Sequence, residues 1–323
     1  MSGNELSPKT KLYISLGIIG FILLLSFSII FFGVYQVYFS PASLFRHDFA
    51  SAGPVEEHFE ERIVNVVLLG LHNRQEDNTF GEVYFVDTIL IAAVNFDQNA
   101  VDLLSVPRDS YVEIAGSGVE DRIRQAYSYG FEESDDEVDP HEKGLKRTIE
   151  TIENYFDCID LHYSVAMDIQ GLKQVIDSLG GVYYNVEKPM IGFTPQESLE
   201  AGPQQLDGQG YITYLTYREE DARDDLNRIG RQKALLMATY EYFKEMGLFR
   251  YIIPVYEGYR GHVRTDLSFN QIAALTLFAA ERLEAEDIYD YSLQGEYFLD
   301  REKGVYYLQL DEDSCQALVE DIF

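Results

Sequence analysis

A long uncharged run near the amino terminus decides where most of this chain can fold. Residues 12–39, LYISLGIIGFILLLSFSIIFFGVYQVYF, contain no charged side chain. A helix that spans a bilayer needs about 20 mainly apolar residues, whereas the apolar core of a signal peptide has about 7–15. We therefore predict an uncleaved transmembrane helix. The alternative is a signal peptide cleaved near Ser40-Pro41-Ala42.

The charges on either side of this run predict its orientation. Lys9 and Lys11 precede it, and an acidic bulk follows it. Positively charged flanks stay in the cytoplasm, so the remainder of the chain is expected outside the cell membrane, as the domain of a single-pass protein. The predicted organisation is a cytoplasmic tail (1–11), a transmembrane helix (12–39), a linker (40–61) and an extracytoplasmic domain (62–323).

The overall charge disfavours one class of partner. The chain has 25 Lys and Arg against 55 Asp and Glu, a formal net charge of −30. Such a surface repels phosphate backbones, so we predict no nucleic-acid partner. The two cysteines, Cys158 and Cys315, could form a disulfide outside the cell or remain as buried thiols.

The apolar pattern predicts an α/β domain in which helices cover a mixed central sheet on both faces. Apolar runs at 63–70, 87–96 and 100–107 indicate strands, and the stretch 71–86 is expected to be a polar loop. Helical periodicity marks 144–156, 168–181, 227–247, 270–283 and 312–323, and strands are also expected at 111–116, 161–167, 182–188 and 304–310.

Four arginines lie in TYREEDARDDLNRIGRQ, residues 216–232. On a helix, Arg228, Arg231 and Gln232 would share one face near the first turns, with Asp225 as the N-cap. Guanidinium groups and a helix amino terminus both bind phosphate oxygens well. The alternative is a solvated helix face whose arginines pair with the neighbouring acids.

A second candidate is SVPRDSYVEI. Pro107 ends a predicted strand, so Arg108 and Asp109 would lie at the carboxyl end of that strand, where open α/β sheets bind ligands. An arginine beside an aspartate could clamp an anion and orient a hydroxyl. A turn with a local ion pair is the alternative. A third segment, DRIRQAYSYG, carries Arg122 and Arg124 and indicates little by itself.

These segments together resemble the LytR-CpsA-Psr family. The resemblance is carried by NVVLLGL, VDTILIAAVN, VDLLSVPRDSYVEI, RIRQAYSYG, LDGQGYITYLTYR, RIGRQ and VRTDLSFNQI, in that order. It implies a membrane-anchored extracytoplasmic α/β protein that moves a glycopolymer phosphate from a polyprenyl-pyrophosphate carrier to peptidoglycan.

The resemblance also implies site residues. The pyrophosphate would be bound by Arg108, Arg122, Arg218, Arg228, Arg231 and Gln232. Asp87 would hold a Mg²⁺ ion, and Asp109 would accept a proton or orient the acceptor, beside Arg108. Arginines and Mg²⁺ would stabilise the charge that develops during phosphoryl transfer.

Three positions depart from the family pattern. His72 stands where a second metal-binding aspartate is usual, and Phe85 and Thr216 replace arginines. Mg²⁺ prefers oxygen ligands, whereas imidazole suits softer metals. The chain could therefore bind Mg²⁺ through Asp87, bind another metal, or bind its anion through arginines alone. An ordinary loop histidine at 72 is the simpler interpretation.

The sequence thus leaves three functions in order. The first is a glycopolymer phosphotransferase that acts on a teichoic acid or polysaccharide. The second is a catalytically weakened relative that binds lipid-linked intermediates or partner enzymes. A transcriptional attenuator is third, because a cytoplasmic tail with two lysines offers little surface for reading DNA.

Overall fold

The computed structural model describes most of the predicted extracytoplasmic domain. The described residues are 37, 41–45, 63–74, 83–133, 138–157, 159–192, 198–217, 224–247 and 261–323, without side chains at 43, 73, 74, 83 and 224–229. The predicted membrane helix lies outside them except for residue 37, as does the predicted linker except for 41–45. Within the described part, no helix has the length and apolar character that a bilayer span requires.

A mixed six-stranded sheet forms the centre of the domain. Its order is β10-β3-β2-β1-β6-β9, and β1, β3, β6 and β10 run in one direction while β2 and β9 run in the other. Its strands are β1 (Ile63–Arg74), β2 (Val83–Asn95), β3 (Ala100–Val106), β6 (Tyr163–Asp168), β9 (Val263–Thr265) and β10 (Ile288–Ser292).

Three two-stranded hairpins lie beside this sheet. They pair β4 (Tyr111–Ile114) with β5 (Val119–Arg122), β7 (Val182–Val186) with β8 (Gly202–Leu206), and β11 (Gly295–Asp300) with β12 (Val305–Leu310).

Helices cover both faces of the sheet, as the sequence predicted. Seven α-helices are present in the described part: α1 (Ala126–Glu132), α2 (Pro140–Tyr155), α3 (Ile169–Ser178), α4 (Gly208–Thr216), α5 (Asp224–Glu245), α6 (Phe269–Glu281) and α7 (Glu312–Ile322). Alternate residues of β1 point to opposite faces. Val67 and Leu69 pack in one apolar core with residues of α2 and α7, whereas Val64 and Val66 pack in another with residues of α6.

The expected polar loop at 71–86 is wrong. Strand β1 continues to Arg74 and β2 begins at Val83, so the two strands form a long antiparallel hairpin. Polar side chains at 72–74 concealed this extension, because a strand that runs beyond the apolar core no longer needs an alternating apolar pattern. His72 is therefore a strand residue, paired with Phe85, and not a loop histidine.

The predicted helices at 144–156, 168–181, 270–283 and 312–323 are confirmed within a few residues. Asp168 caps α3 as predicted, because its carboxylate accepts a 2.7 Å hydrogen bond from the Gly171 N–H. The predicted cap at Asp225 is wrong: α5 begins at Asp224, which places Asp225 inside the first turn. Cys315 is a buried free thiol, so the disulfide alternative is not formed, while Cys158 lies outside the described residues.

Gly130 permits the close crossing of α1 and α2. A Cβ added there would lie 2.8 Å from both the Lys143 carbonyl carbon and the Arg147 Cβ. We expect Gly130→Ala to lower the free energy of unfolding by about 2 kcal/mol, because the helices must separate to relieve this overlap.

The matched control is Gly230→Ala in α5, where a Cβ would meet no described atom within 4 Å. Alanine is the better helix former, so this change is expected to stabilise the protein by up to about 1 kcal/mol. Urea unfolding of the full chain checks both variants. Equal midpoints for the two would contradict the packing role of Gly130.

Candidate anion-binding site

Asp87 lies on a β-bulge between the two longest strands. Gly70 pairs with Thr88, whereas Leu71 pairs with Val86, so Asp87 is an extra residue in β2 with no direct partner in β1. A bulge redirects the side chain it carries, and bulges are common beside functional sites. The bulge places Asp87 near the edge where the parallel strands end.

Arg108 and Asp109 lie in a tight turn at that edge. The turn follows β3, and both the backbone N–H and the hydroxyl of Ser110 donate to the Pro107 carbonyl, at 3.0 and 2.6 Å. The turn is also tied to β12, because the Leu308 N–H donates to the Asp109 carbonyl at 2.8 Å. Arg108 and Asp109 therefore lie at the carboxyl end of the strand, as predicted.

The hairpin of β4 and β5 returns two further arginines to this turn. Tyr111 pairs with Arg122, and the Ile123 N–H donates to the Ser110 carbonyl at 2.8 Å. The Arg124 N–H then donates to the Arg108 carbonyl at 3.2 Å. Backbone hydrogen bonds thus hold the segment from Arg122 to Arg124 against the PRD turn.

Asp87, Arg108, Asp109, Arg122 and Arg124 form a connected ionic cluster. Asp87 Oδ1 lies 2.7 Å from Arg124 Nη2 and 3.2 Å from Arg108 Nη1. Asp109 Oδ2 lies 3.7 Å from Arg108 Nε, and its Oδ1 lies 3.8 Å from Arg122 Nη1. Three guanidinium groups face two carboxylates, so the cluster has an excess of positive charge within a strongly acidic chain.

The cluster retains unused hydrogen-bond donors. The Nε atoms of Arg108, Arg122 and Arg124 are buried and have no acceptor among the described residues. A buried donor without an acceptor is costly, and such donors are commonly satisfied by a ligand or water. Burial also lowers the pKa of Arg124, which Asp87 opposes and Arg108 reinforces. Arginine nevertheless stays charged at neutral pH, so the site is suited to a multiply charged anion.

A second group of polar residues lies on α5. Arg231 Nη2 donates to the Tyr217 carbonyl at 2.9 Å, and Gln232 Nε2 donates to the Leu215 carbonyl at 3.0 Å. The next residue, Lys233, forms an ion pair with Asp290 and contacts Ser292 Oγ at 3.3 Å. Ser292 pairs with Ser105 near the end of β3, so α5 passes the same edge of the sheet as the ionic cluster.

The structure places Asp87, Arg108, Asp109 and Arg122 in one cluster, as the resemblance implied. Arg231 and Gln232 lie on α5 and fasten it to the end of α4. Arg218 and the side chain of Arg228 lie outside the described residues. Arg124, which sequence reasoning did not assign to the site, makes the shortest contact to Asp87.

Two of the departures from the family pattern have structural consequences. The hydroxyl of Thr216 donates to the Ile212 carbonyl of its own helix at 2.8 Å, so this position contributes no cation to the edge. The ring of Phe85 lies under the Arg124 guanidinium, whose central carbon is 5.1 Å from the ring centroid. Stacking of this kind orients a guanidinium and contributes a modest attraction.

The described side chains fit a Mg²⁺ ion poorly. Asp87 is already paired with two guanidinium groups, and imidazole at 72 is a weak ligand for Mg²⁺. No three His, Cys, Asp or Glu side chains of the described residues are grouped as metal ligands would be. The magnesium ion therefore remains a prediction of the resemblance alone.

Comparison with known proteins shows what this domain is similar to. A sequence profile described as the LytR_cpsA_psr family matches residues 42–322. The polyisoprenyl-teichoic acid–peptidoglycan teichoic acid transferase TagU of Halalkalibacterium halodurans is 28% identical over 77% of this chain and 74% of that protein.

Solved structures share the fold. TagV of B. subtilis is 22% identical with a TM-score of 0.64, over 80% of this chain and 96% of that one. TagT bound to LI-WTA is 23% identical with a TM-score of 0.60, over 80% of this chain and 89% of that one.

Proposed function

The chain belongs to the LytR-CpsA-Psr family, and from this premise we propose that it is a membrane-anchored phosphotransferase that attaches a lipid-linked wall polymer to peptidoglycan. The polymer would be a teichoic acid or polysaccharide carried on polyprenyl pyrophosphate. The observation that carries the proposal is the cluster of three arginines and two aspartates at the carboxyl edge of the sheet. The related transferase names a teichoic acid and peptidoglycan, which supports this substrate pair.

The cluster suits phosphoryl transfer because this reaction needs positioning and charge stabilisation more than covalent help from the protein. Arg108 and Arg122 would bind the pyrophosphate oxygens, with Arg218, Arg228, Arg231 and Gln232 contributing from the side of α5. Guanidinium forks match phosphate oxygens and cannot be neutralised by deprotonation at neutral pH. The rigid turn around Arg108 fixes these donors before the substrate arrives, which is the preorganisation that electrostatic catalysis requires.

Asp109 is the group suited to the acceptor. It would accept the proton of a peptidoglycan hydroxyl while the hydroxyl oxygen forms a bond to the phosphorus nearest the polymer. The bond from that phosphorus to the bridging oxygen would break, and polyprenyl monophosphate would leave with the electron pair. The polymer would then be joined to peptidoglycan by a phosphodiester.

The membrane anchor and outside location belong to the same proposal. An anchor at residues 12–39 would hold the domain near a polyprenyl carrier, whose tail lies in the bilayer. Protease added to intact cells should digest the domain if it faces outward. Full protection in intact cells, with digestion after lysis, would contradict this location.

Transfer by the full-length chain in liposomes tests the function. The assay supplies lipid-linked wall polymer and peptidoglycan strands and measures polymer recovered with the peptidoglycan. We expect recovery that depends on the protein and is lost in Arg108→Ala. Binding of the lipid-linked polymer without transfer, in a folded chain, would instead support the second candidate, a relative that only binds intermediates. The missing cation at Thr216 is the observation that favours this second candidate.

A further inference from the structure

Asp87 is held by two guanidinium groups rather than left open for a cation. Arg124 Nη2 and Arg108 Nη1 contact the same oxygen, Oδ1, at 2.7 and 3.2 Å. The side chain of Asp87 is 32% exposed, whereas those of Arg124 and Arg108 are 17% and 13% exposed. The two arginines therefore cover one side of a carboxylate whose remaining surface faces the open edge of the sheet.

Arg124 is fixed in this position by three independent contacts. Its N–H donates to the Arg108 carbonyl, its guanidinium stacks over Phe85, and Asp87 pairs with Nη2. Phe85 precedes the bulge on β2 by two residues, so the stacking ring and the carboxylate come from one strand. A guanidinium held in this way loses little further entropy when it binds a phosphate.

A divalent cation at Asp87 would meet strong opposition. It would have to lie close to two guanidinium groups, and like charges at short distance repel by several kcal/mol at low dielectric. It would also lack protein oxygen ligands, because imidazole occupies position 72 and the described residues contain no three-ligand group. The charge that a metal would bring is already present as Arg124.

We propose that Arg124 replaces a divalent cation at Asp87 and presents its guanidinium to the pyrophosphate, so that this chain binds its anion through arginines alone. The identity of the anion rests on the proposed function, whereas the replacement of the cation does not. Arg124 thereby restores a positive charge beside Phe85 at the site.

Manganese binding tests the replacement directly, because free Mn²⁺ is measured by electron paramagnetic resonance without any substrate. The full-length chain in detergent is compared with Arg124→Gln, with Asp87→Asn, and with Arg124→Gln combined with Asp87→Asn. Arg147→Gln is the matched control, since Arg147 is also 17% exposed and paired with an acid, Glu133, but lies on α2 outside the cluster.

We expect Arg124→Gln to bind Mn²⁺ at least about tenfold more tightly than the wild type, because one unit of repulsion is removed. Arg147→Gln should behave as the wild type, and the double variant should lose the gain. A wild-type site that disappears in Asp87→Asn, and whose affinity Arg124→Gln does not change, would overturn the proposal.

Binding of geranylgeranyl pyrophosphate, measured by calorimetry, tests the role toward the anion. Wild-type affinity should be the same in EDTA and in Mg²⁺, and Arg124→Gln should weaken binding in EDTA by about tenfold or more, the effect of one charged hydrogen bond. A wild-type affinity that falls about tenfold in EDTA would overturn the proposal. Failure of the wild type to bind in either condition would reject the proposed function, and the Mn²⁺ titration would still decide whether Arg124 replaces a cation.

Discussion

Arg108→Ala is expected to lower polymer transfer by roughly 10³-fold, the scale of a lost arginine at a phosphoryl-transfer site. Arg108 lies between the two carboxylates of the cluster, at 3.2 Å from Asp87 and 3.7 Å from Asp109. Its removal leaves the pyrophosphate without the donor that connects the metal-site position to the candidate base. Initial rates of transfer in liposomes, with saturating peptidoglycan, measure this loss.

The fold should survive this change because both carboxylates keep a partner. Asp87 remains paired with Arg124, and Asp109 remains near Arg122. Arg108→Lys is expected to recover only part of the rate, since lysine keeps the charge but not the planar fork. Arg282→Ala, at an exposed position after α6, is the control and should transfer at the wild-type rate. A rate for Arg108→Ala within threefold of the wild type, on the order of 1 kcal/mol or less, would remove Arg108 from the site.

Asp109→Asn is expected to lower kcat by about 10²- to 10⁴-fold, the range for loss of a general base. Asparagine has nearly the same shape but cannot accept the proton of the acceptor hydroxyl. Asp109 is 18% exposed and is tied to β12 through its backbone carbonyl, so the variant should hold the same turn. The KM for lipid-linked polymer should change little, because the arginines that bind the pyrophosphate remain.

The control for this variant is Asp97→Asn, in the exposed turn between β2 and β3 at the opposite end of the sheet. Transfer by Asp97→Asn should match the wild type. If Asp109→Asn instead raised KM and left kcat unchanged, Asp109 would act by holding Arg108 and Arg122 in place and not as the base.

The core of the fold could be predicted because its strands are apolar. The runs at 63–70, 87–96 and 100–107 correspond to the three central strands β1, β2 and β3. The continuation of the first two strands beyond the core could not be predicted, because the residues there are polar. Short exposed elements such as β11 carried no apolar signal either, since most of their side chains face solvent.

The site was predictable where residue type and chain position agree. The end of β3 located Arg108 and Asp109, because ligand sites of α/β sheets lie at the carboxyl ends of strands. Asp87 entered only through the family pattern, and the bulge that directs it has no sequence signal. Arg124 was missed because its place depends on a backbone hydrogen bond to Arg108, a contact between residues on separate turns that no local pattern reveals.

The most direct test of the proposed phosphotransfer follows the phosphorus atom that links the polymer to its carrier. Lipid-linked polymer labelled with ³²P at the sugar-linked phosphate is incubated with peptidoglycan and the full-length chain in liposomes. The account predicts that the label enters peptidoglycan and that one polyprenyl monophosphate forms for each polymer transferred. Polymer attached without the label, or release of polyprenyl pyrophosphate, would show that a different bond breaks and would contradict the account.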